Sequence, residues 1–331
     1  MAFDFAKLSP KKTALGAPHF SDPRYSPLAF DEARFQSFEA EAGRLTCVDG
    51  GNASVINTPN LSVQLVRVYR NEFDGGERKT SEESEFLVIT RVEPASGGQM
   101  LLKAETMPLN GPKLLQEDLA FDWADATLAQ GGFKASPSAL GAVARRFAEW
   151  KMACRCFNPV RDGTLQTSVT NESIFSRKAY AESKGVFSAL AKTSSLYTTT
   201  GLPLVSAVAR LAGKRAAPWV YGPLCVNSQP DHEADLFVAK LHENATHCFR
   251  FEVKRGCDAL SVLPALAFQA SDLAFLGYPY GLVDADKRAR VPFEEARQMQ
   301  GVMRQEIGEG AWREIELDSC AVDAHDFLDR V

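Results

Sequence analysis

Residues 45–54 read LTCVDGGNAS, and this stretch carries the first indication of the fold. A short apolar run ends at Asp49, two glycines follow it, and residues 61–69 alternate apolar and polar side chains as a half-buried strand does. We therefore predict a strand, a carboxylate, a tight turn and a second strand. The glycines permit positive φ angles and let another backbone or a phosphate come close. A carboxylate fixed at the end of a strand suits a metal ligand, although Asp-Gly is also a common hairpin turn.

Two further acidic segments strengthen the metal interpretation. Residues 160–165 read VRDGTL, so Asp162 precedes a glycine as Asp49 does, and Asp286 lies in a third cluster of carboxylates. Residues 138–157 place apolar side chains at helical spacing and carry Glu149 near the middle. A helix that leads into a strand with an aspartate is typical of an α/β protein.

The rest of the chain predicts a single elaborated domain that follows an N-terminal arm. The arm is predicted over residues 1–30 and the domain over 31–331. The elements predicted within the domain, in chain order, are a short helix with an acidic first turn over 31–42, a loop over 71–84, a third strand of an antiparallel meander over 85–92, a helical piece over 114–128 and a helix over 171–192.

Composition narrows the class of protein. The 331 residues are 45% hydrophobic and 24% charged, as is ordinary for a globular protein, and no apolar run approaches the roughly 18 residues of a membrane helix. The N-terminus lacks an apolar signal core, so we expect a cytoplasmic protein. The seven cysteines are scattered, which favours reduced thiols over a zinc site. The net charge of -5 means that any nucleic acid must be held by a local basic track.

Several common functional motifs are missing from the sequence. No G-x-x-x-x-G-K-[ST] occurs, so the chain is not itself a P-loop motor, and no glycine pattern has dinucleotide spacing. His232, His242 and His247 do not follow a zinc pattern, and we interpret them as structural.

With these motifs side by side, the sequence resembles the NurA nuclease family. The resemblance rests on VDGGNAS, VRDGTL, ALAKTSSL, and ADLFVAKLHENATHCFRFEV with GYPYGLVDADKRARV, in this order along the chain. Gly51 stands where the family usually has serine, and Asp286 stands where some relatives have histidine. The resemblance implies a ribonuclease H-like mixed sheet flanked by helices. It also implies a metal-dependent DNA nuclease that acts on DNA ends and single strands in double-strand break end resection, as a homodimer with a hexameric HerA-type ATPase.

The resemblance and the chemistry together suggest a set of metal ligands. Phosphodiester hydrolysis is served by two divalent ions roughly 3.5–4 Å apart, and Mn²⁺ or Mg²⁺ prefers carboxylate oxygens. Asp49 would bridge the ions, Asp162 would bind from a neighbouring strand, and Glu149 would reach in from its helix. Asp286 would complete the set from the C-terminal helix. Asp284 is the alternative to Asp286, because two residues so close on a helix cannot both face the site.

A second set of residues is predicted to hold DNA. Lys192 and Thr193 suit a backbone phosphate, and Arg288 and Arg290 would line the path of the strand. Tyr278 would stack on a base, unless it packs inside its proline-containing turn. Because a lysine is not a metal ligand, we expect replacement of Lys192 to leave metal affinity unchanged.

Two other functions remain open on the sequence alone. The first is a non-catalytic DNA-binding or adaptor subunit of an ATPase complex, which would be expected to lack Asp49 or Asp162. The second is an unrelated metal-dependent phosphoesterase, which the hydroxyl-rich segment over residues 192–200 does not exclude.

Overall fold

The computed structural model describes residues 14–129 and 134–320 and shows an α/β protein built on a large mixed sheet. The strands are β1 (Pro18–His19), β2 (Tyr25–Pro27), β3 (Phe35–Ser37), β4 (Arg44–Asn57), β5 (Leu61–Asp74), β6 (Glu77–Pro94), β7 (Met100–Asn110), β8 (Leu119–Asp122), β9 (Pro159–Asp162), β10 (Ser188–Ala191), β11 (Tyr197–Thr198), β12 (Trp219–Tyr221), β13 (Cys225–Asn227), β14 (Ala234–Lys240) and β15 (Phe249–Lys254). The helices are α1 (Ala139–Ala153), α2 (Glu172–Glu182), α3 (Leu204–Ala212), α4 (Leu263–Gln269), α5 (Tyr280–Ala289) and α6 (Phe293–Cys320).

The strand order of the main sheet identifies the fold. The order is β3-β12-β14-β15-β10-β9-β4-β5-β6-β7-β8. At its centre β4, β5 and β6 form an antiparallel meander, β9 pairs parallel with β4, and β10 pairs parallel with β9. The ribonuclease H-like arrangement is a three-stranded antiparallel meander in which a fourth strand pairs parallel with the first strand and a fifth pairs parallel with the fourth. The predicted fold class and the predicted meander are therefore confirmed.

The two faces of the central sheet are covered by different helices. Side chains of a strand alternate between faces, so Val48 points to one face and Cys47 to the other. Val48 belongs to the core beneath α1, where Phe147 and Trp150 are buried. Cys47 belongs to the core beneath α4 and α5. By the same alternation, Asp49 lies on the face covered by α5.

β4 runs through both glycines without a break, so the predicted tight turn after Asp49 is wrong. The chain reverses only at residues 58–60, between β4 and β5. A contact explains the glycine instead, because a methyl group on Gly51 would lie 2.3 Å from the carbonyl oxygen of Ala289 in α5. Close approach of another backbone, which the sequence also suggested, is therefore the role of this glycine.

The predicted helix over residues 31–42 is also wrong. Asp31 accepts a hydrogen bond from the backbone N–H of Ala33 and caps a single 3₁₀ turn. The chain then becomes extended as β3, because the Phe35 ring packs against Trp219 and Tyr221 and draws this segment into the sheet. The helical pattern of the sequence is overruled by this tertiary contact.

Three other segments differ from the prediction. Residues 71–84 are not a loop, since β5 and β6 continue through them and turn only at residues 75–76, with pairs such as Arg70 and Glu82 at 2.7 Å across the strands. Residues 114–128 contain β8 in place of a helix. Helix α2 covers only part of residues 171–192, and β10 follows it.

The N-terminal segment is described from residue 14 onward. Phe3, Phe5 and Leu8 are apolar residues on an otherwise polar segment and make the predicted arm a candidate docking or dimer-exchange element, but they lie outside the described residues. Within it, β1 pairs with β11 and β2 pairs with β13. Tyr25 is buried, so this part of the predicted arm belongs to the folded body. No helix among the described residues is both long and apolar enough to span a membrane.

Replacing Gly51 with alanine should destabilise the protein, because the new methyl group meets a backbone oxygen that cannot move without displacing α5. We expect the free energy of unfolding to fall by about 1–3 kcal/mol, the usual range for overpacking. Urea denaturation measures this loss. Gly76→Ala is the matched control, since a methyl group there would have no neighbour within 4 Å. Equal stability of the two variants would show that the contact with Ala289 is not what requires glycine.

Candidate metal centre

Three carboxylates from distant parts of the chain meet at one point on the sheet. Asp49 lies in β4, Asp162 ends β9, and Asp286 lies in α5, and one oxygen of each can be chosen so that all lie within 4.8 Å of one another. The register explains the first two, because Val48 pairs with Arg161 and the two aspartates are the next residues along parallel strands. Asp286 reaches them because α5 lies directly on β4.

The structure distinguishes between the two aspartates of α5. Asp284 is buried and accepts hydrogen bonds from the Asn71 side chain and from Arg78, both at 2.7 Å. Asp286 instead faces Asp49 and Asp162 with half of its side chain exposed. Of the two alternatives in the sequence, Asp286 therefore lies at the centre, while Asp284 joins α5 to β5 and β6.

The structure does not bring Glu149 into the group, contrary to the prediction that it reaches in from its helix. Helix α1 covers the opposite face of the sheet, and Glu149 lies there beside Gly50. Its two oxygens accept hydrogen bonds from Arg145 at 2.7 Å and from Arg161 at 2.5 Å. Both oxygens are thus held by arginines, and the side chain is only 5% exposed.

Arg145 and Arg161 were not singled out in the sequence, although each has a detectable signal. Arg145 stands four residues before Glu149, a spacing that places two side chains side by side on a helix. Arg161 directly precedes Asp162, so strand alternation turns it toward α1. Its guanidinium also lies over the Trp150 ring, 3.9 Å from the ring centre.

Lys192 is the cation among the clustered carboxylates. Its Nζ lies 2.6 Å from Oδ2 of Asp162 and 2.7 Å from Oδ1 of Asp286. Burial disfavours the charge of the ammonium, but the hydrogen bonds to the two aspartates outweigh burial and raise the pKa of Lys192. The lysine therefore stays charged and offsets part of the negative charge of the cluster.

The aspartates themselves are held in an environment that opposes their charge. Burial, followed by the nearby carboxylates of Glu149 and Asp162, raises the pKa of Asp49 to about 8. Burial also raises the pKa of Asp162, in spite of its contact with Lys192. A divalent cation bound beside these aspartates would therefore strongly stabilise their charged forms.

The donor set fits a hard divalent cation. All three side chains offer carboxylate oxygens, the ligands that Mg²⁺ and Mn²⁺ prefer. Oδ2 of Asp162 is buried, and its contact among the described residues is with Nζ of Lys192 at 2.6 Å. A buried carboxylate oxygen held by an ammonium that can be exchanged is suited to metal ligation.

The residues predicted to hold DNA lie around this cluster. Thr193 is exposed next to Lys192, and Arg288 and Arg290 are exposed at the end of α5. Tyr278 lies beneath Lys192, with Nζ 5.7 Å from the ring centre, and its ring packs against Phe249. Its hydroxyl is buried, so the ring serves as packing in this structure and not as an open stacking platform.

No family model matches the sequence, and a search of curated proteins found no match in sequence. In structure, the chain is similar to the NurA nuclease from Sulfolobus solfataricus, with a TM-score of 0.47, 11% identity and coverage of 83% of this chain and 88% of that chain. It is also similar to human ENDOV, with a TM-score of 0.38, 12% identity and coverage of 81% and 94%. A further similar structure is A. aeolicus Argonaute, with a TM-score of 0.32, 12% identity and coverage of 76% and 29%.

The raised pKa of Asp49 predicts a pH-dependent stability in the presence of a chelator. Between the ordinary pKa of 3.8 and about 8, the folded protein keeps a proton that the unfolded chain releases. The free energy of unfolding should therefore fall as the pH rises through this window, by at most about 1.4 kcal/mol per unit of pKa shift. Asp49→Asn should flatten the decline, as thermal melts at a series of pH values would reveal. If the stability of the variant and that of the wild type fell in parallel as the pH rose, the raised pKa of Asp49 would be contradicted.

Proposed function

We propose that this protein is a metal-dependent deoxyribonuclease that hydrolyses phosphodiester bonds. The observation that carries the proposal is the meeting of Asp49, Asp162 and Asp286 on one face of a ribonuclease H-like sheet. Their donor set suits Mn²⁺ or Mg²⁺, and we propose two ions at the centre. When bound, such ions supply an activated water and neutralise charge on the phosphate.

The residues around the centre have separate tasks in this proposal. Asp49 of β4, Asp162 of β9 and Asp286 of α5 would hold the ions. Lys192 leaves the carboxylates and takes a phosphate oxygen of the substrate, with Thr193 beside it. Arg288 and Arg290 extend the positive surface along the strand path, so the acidic protein holds DNA locally.

Glu149 receives a positioning role in place of the ligand role predicted from the sequence. It holds Arg161 in β9, and Arg161 precedes Asp162, so the ion pair at 2.5 Å restrains the strand that carries the ligand. Arg145 also donates to the carbonyl oxygen of Gly50 at 3.0 Å, which restrains β4 next to Asp49.

The wider biological role follows from the resemblance to NurA nucleases in sequence motifs. We propose action on DNA ends and single strands in double-strand break end resection, as a cytoplasmic homodimer that works with a hexameric HerA-type ATPase. The alternative of a non-catalytic adaptor subunit predicts the same fold and DNA binding without cleavage. Activity assays separate the two.

The two aspartates of α5 give a matched test of the metal centre. Asp286→Asn should abolish Mn²⁺-dependent cleavage of single-stranded DNA and leave the melting temperature nearly unchanged, since this side chain is half exposed. Asp284→Asn should lower the melting temperature through its bonds to Asn71 and Arg78, and should retain cleavage at a temperature where it is folded. Asp49→Asn should abolish cleavage as well.

The proposal fails if purified wild-type protein, supplied with Mn²⁺ or Mg²⁺, binds DNA but never cleaves it. That result would favour the adaptor subunit. Full cleavage by Asp49→Asn would instead remove Asp49 from the centre while leaving nuclease activity standing.

Lys192→Ala should change both DNA binding and metal binding. Losing one phosphate contact should weaken binding to all sequences alike and reduce the salt slope by about 0.7 for a single strand. The contacts of Lys192 with Asp162 and Asp286 also revise the expectation of unchanged metal affinity, because the ammonium competes for the oxygens that the ion needs. We expect Mn²⁺ to bind more tightly to the variant in the absence of DNA, as measured by calorimetry. Lys103→Ala, whose lysine pairs with Glu93 on β6, serves as the surface control.

The proposed homodimer and ATPase complex can be tested by a truncation that leaves the folded body intact. Because Tyr25 is buried, removal of residues 1–30 would damage the body, whereas removal of residues 1–13 ends before the described segment. We expect the shorter truncation to weaken the homodimer or the ATPase complex, as measured by light scattering and co-elution. An unchanged dimer that still co-elutes with the ATPase would assign residues 1–13 another use.

A further inference from the structure

A cavity of about 380 Å³ lies at the edge where β9 and β10 end, on the face of the sheet opposite to Asp162. Leu236 and Arg250 in its wall lie on the same face as Arg161, according to the strand register. Gln166 in its wall follows Asp162 by four residues, and Ser195 follows Lys192 by three. An extended chain spans at most about 3.6 Å per residue, so the Cα of Ser195 lies within about 11 Å of that of Lys192. The segments that leave the two metal-centre strands therefore also form this cavity.

The N-terminal segment forms the opposite wall. His19 and Tyr25 line the cavity, and β1 is fixed there by pairing with Tyr197 and Thr198 of β11. The Phe20 ring stacks on Tyr25 with 5.2 Å between ring centres. The Tyr197 side chain is 50% exposed at the same place. The cavity thus has aromatic side chains on its N-terminal side and at its rim.

Arg250 of β15 provides a hydrogen-bond donor on the inner wall. It is only 7% exposed, it lines the cavity, and its Nε has no hydrogen-bond partner among the described residues. Its Nη2 lies 2.5 Å from Oε1 of the fully buried Glu252. The guanidinium is therefore fixed in place by one carboxylate and keeps unused donor capacity.

The charges of the cavity are balanced. Burial opposes the charge of Glu252, but Arg250 and His232 outweigh it and lower the pKa of Glu252 to about 2, so Glu252 is ionised and offsets Arg250. Asp22, the other charged residue of the wall, pairs with Arg24 at 2.7 Å. A site without excess positive charge is a poor site for a phosphate, which needs uncompensated cations or several free donors.

These features suit a neutral, planar ligand with hydrogen-bond acceptors at its edge. A nucleobase has a face that stacks on aromatic rings and an edge of ring nitrogens and carbonyl oxygens that accept from an arginine and an amide. The volume is also within the usual range for small-molecule sites.

We propose that this cavity binds one unstacked nucleobase of a single strand that crosses this edge of the sheet, with a neighbouring part of its backbone at the metal centre on the other face. The inference rests on the proposed nuclease function and adds a base-binding position to it. Arg250 and Gln166 bond the edge of the base, and Tyr197 covers its face. The base enters after leaving its stack, so single strands are bound in preference to duplexes.

The test compares two oligonucleotides of equal length, one with bases and one with an entirely abasic backbone, which carry the same number of phosphates. Binding to the full chain is measured by fluorescence anisotropy with a chelator present, so that no strand is cleaved. Tyr197→Ala and Gln166→Ala remove contacts at the rim and wall without touching the buried ion pair. Phe268→Ala, a partly exposed aromatic residue on α4, is the matched control.

We expect each rim or wall variant to weaken binding of the base-bearing strand about five- to tenfold, the effect of losing one stacked or bonded base. The abasic strand should bind all proteins equally, and the control should match the wild type. Variants that weaken both strands alike would show that the cavity holds phosphate, and variants that change neither would show that no base enters it. Either result overturns the inference while wild-type cleavage with Mn²⁺ leaves the nuclease proposal standing. A wild type that neither binds nor cleaves either strand would overturn both.

Discussion

The arrangement of the candidate centre depends on the contact between Gly51 in β4 and the carbonyl oxygen of Ala289 at the end of α5. A methyl group on Gly51 would be 2.3 Å from that oxygen, so only glycine lets the helix lie so close to the strand. Because α5 lies there, Asp286 reaches Asp49 and Asp162, and Asp284 can bond to Asn71 of β5. Without this contact the two aspartates of β4 and β9 would remain on the sheet, and the third would lie farther from them, because α5 could not approach β4 so closely.

Because side chains alternate along a strand, the charged residues form two separate groups on opposite faces of the sheet. The sequence alone suggests a single group. Asp49 and Asp162 point to the face of α5, where Lys192 joins them. Gly50 and Arg161 point to the face of α1, where Glu149 accepts from two arginines. The first group has three carboxyl side chains and one ammonium, and the second is fully paired at Glu149. The surplus of acidic side chains marks the first group, and not the second, as the place for an added cation.

The sequence was informative where local pattern and tertiary role agree. The repeated apolar strand followed by Asp-Gly located Asp49 and Asp162, and helical spacing located α1. The sequence-based prediction failed where a contact with a residue far away in the sequence determines the local structure. The glycines after Asp49 resemble a turn, but Gly50 faces side chains of α1, and Gly51 faces a helix more than two hundred residues later in the chain. Phe35 sits in a helical pattern, but Trp219 and Tyr221 draw it into a strand. The sequence could not decide between Asp284 and Asp286, because the decision depends on the hydrogen-bond partners of each side chain. For Asp284 these partners are Asn71 and Arg78.

The position of Lys192 has a thermodynamic consequence for the order in which ligands assemble. An ion that enters the carboxylate cluster must displace an ammonium that already contacts Asp162 and Asp286, so metal binding is an exchange of one cation for another. The displaced lysine is left without a counter-ion until a phosphate supplies one. In the proposed nuclease, DNA would thereby lower the free energy of the metal-bound state, and by reciprocity the metal would raise the affinity for DNA by the same factor. The protein would hold its ions weakly when idle and firmly when a strand is present, which confines hydrolysis to the assembled complex.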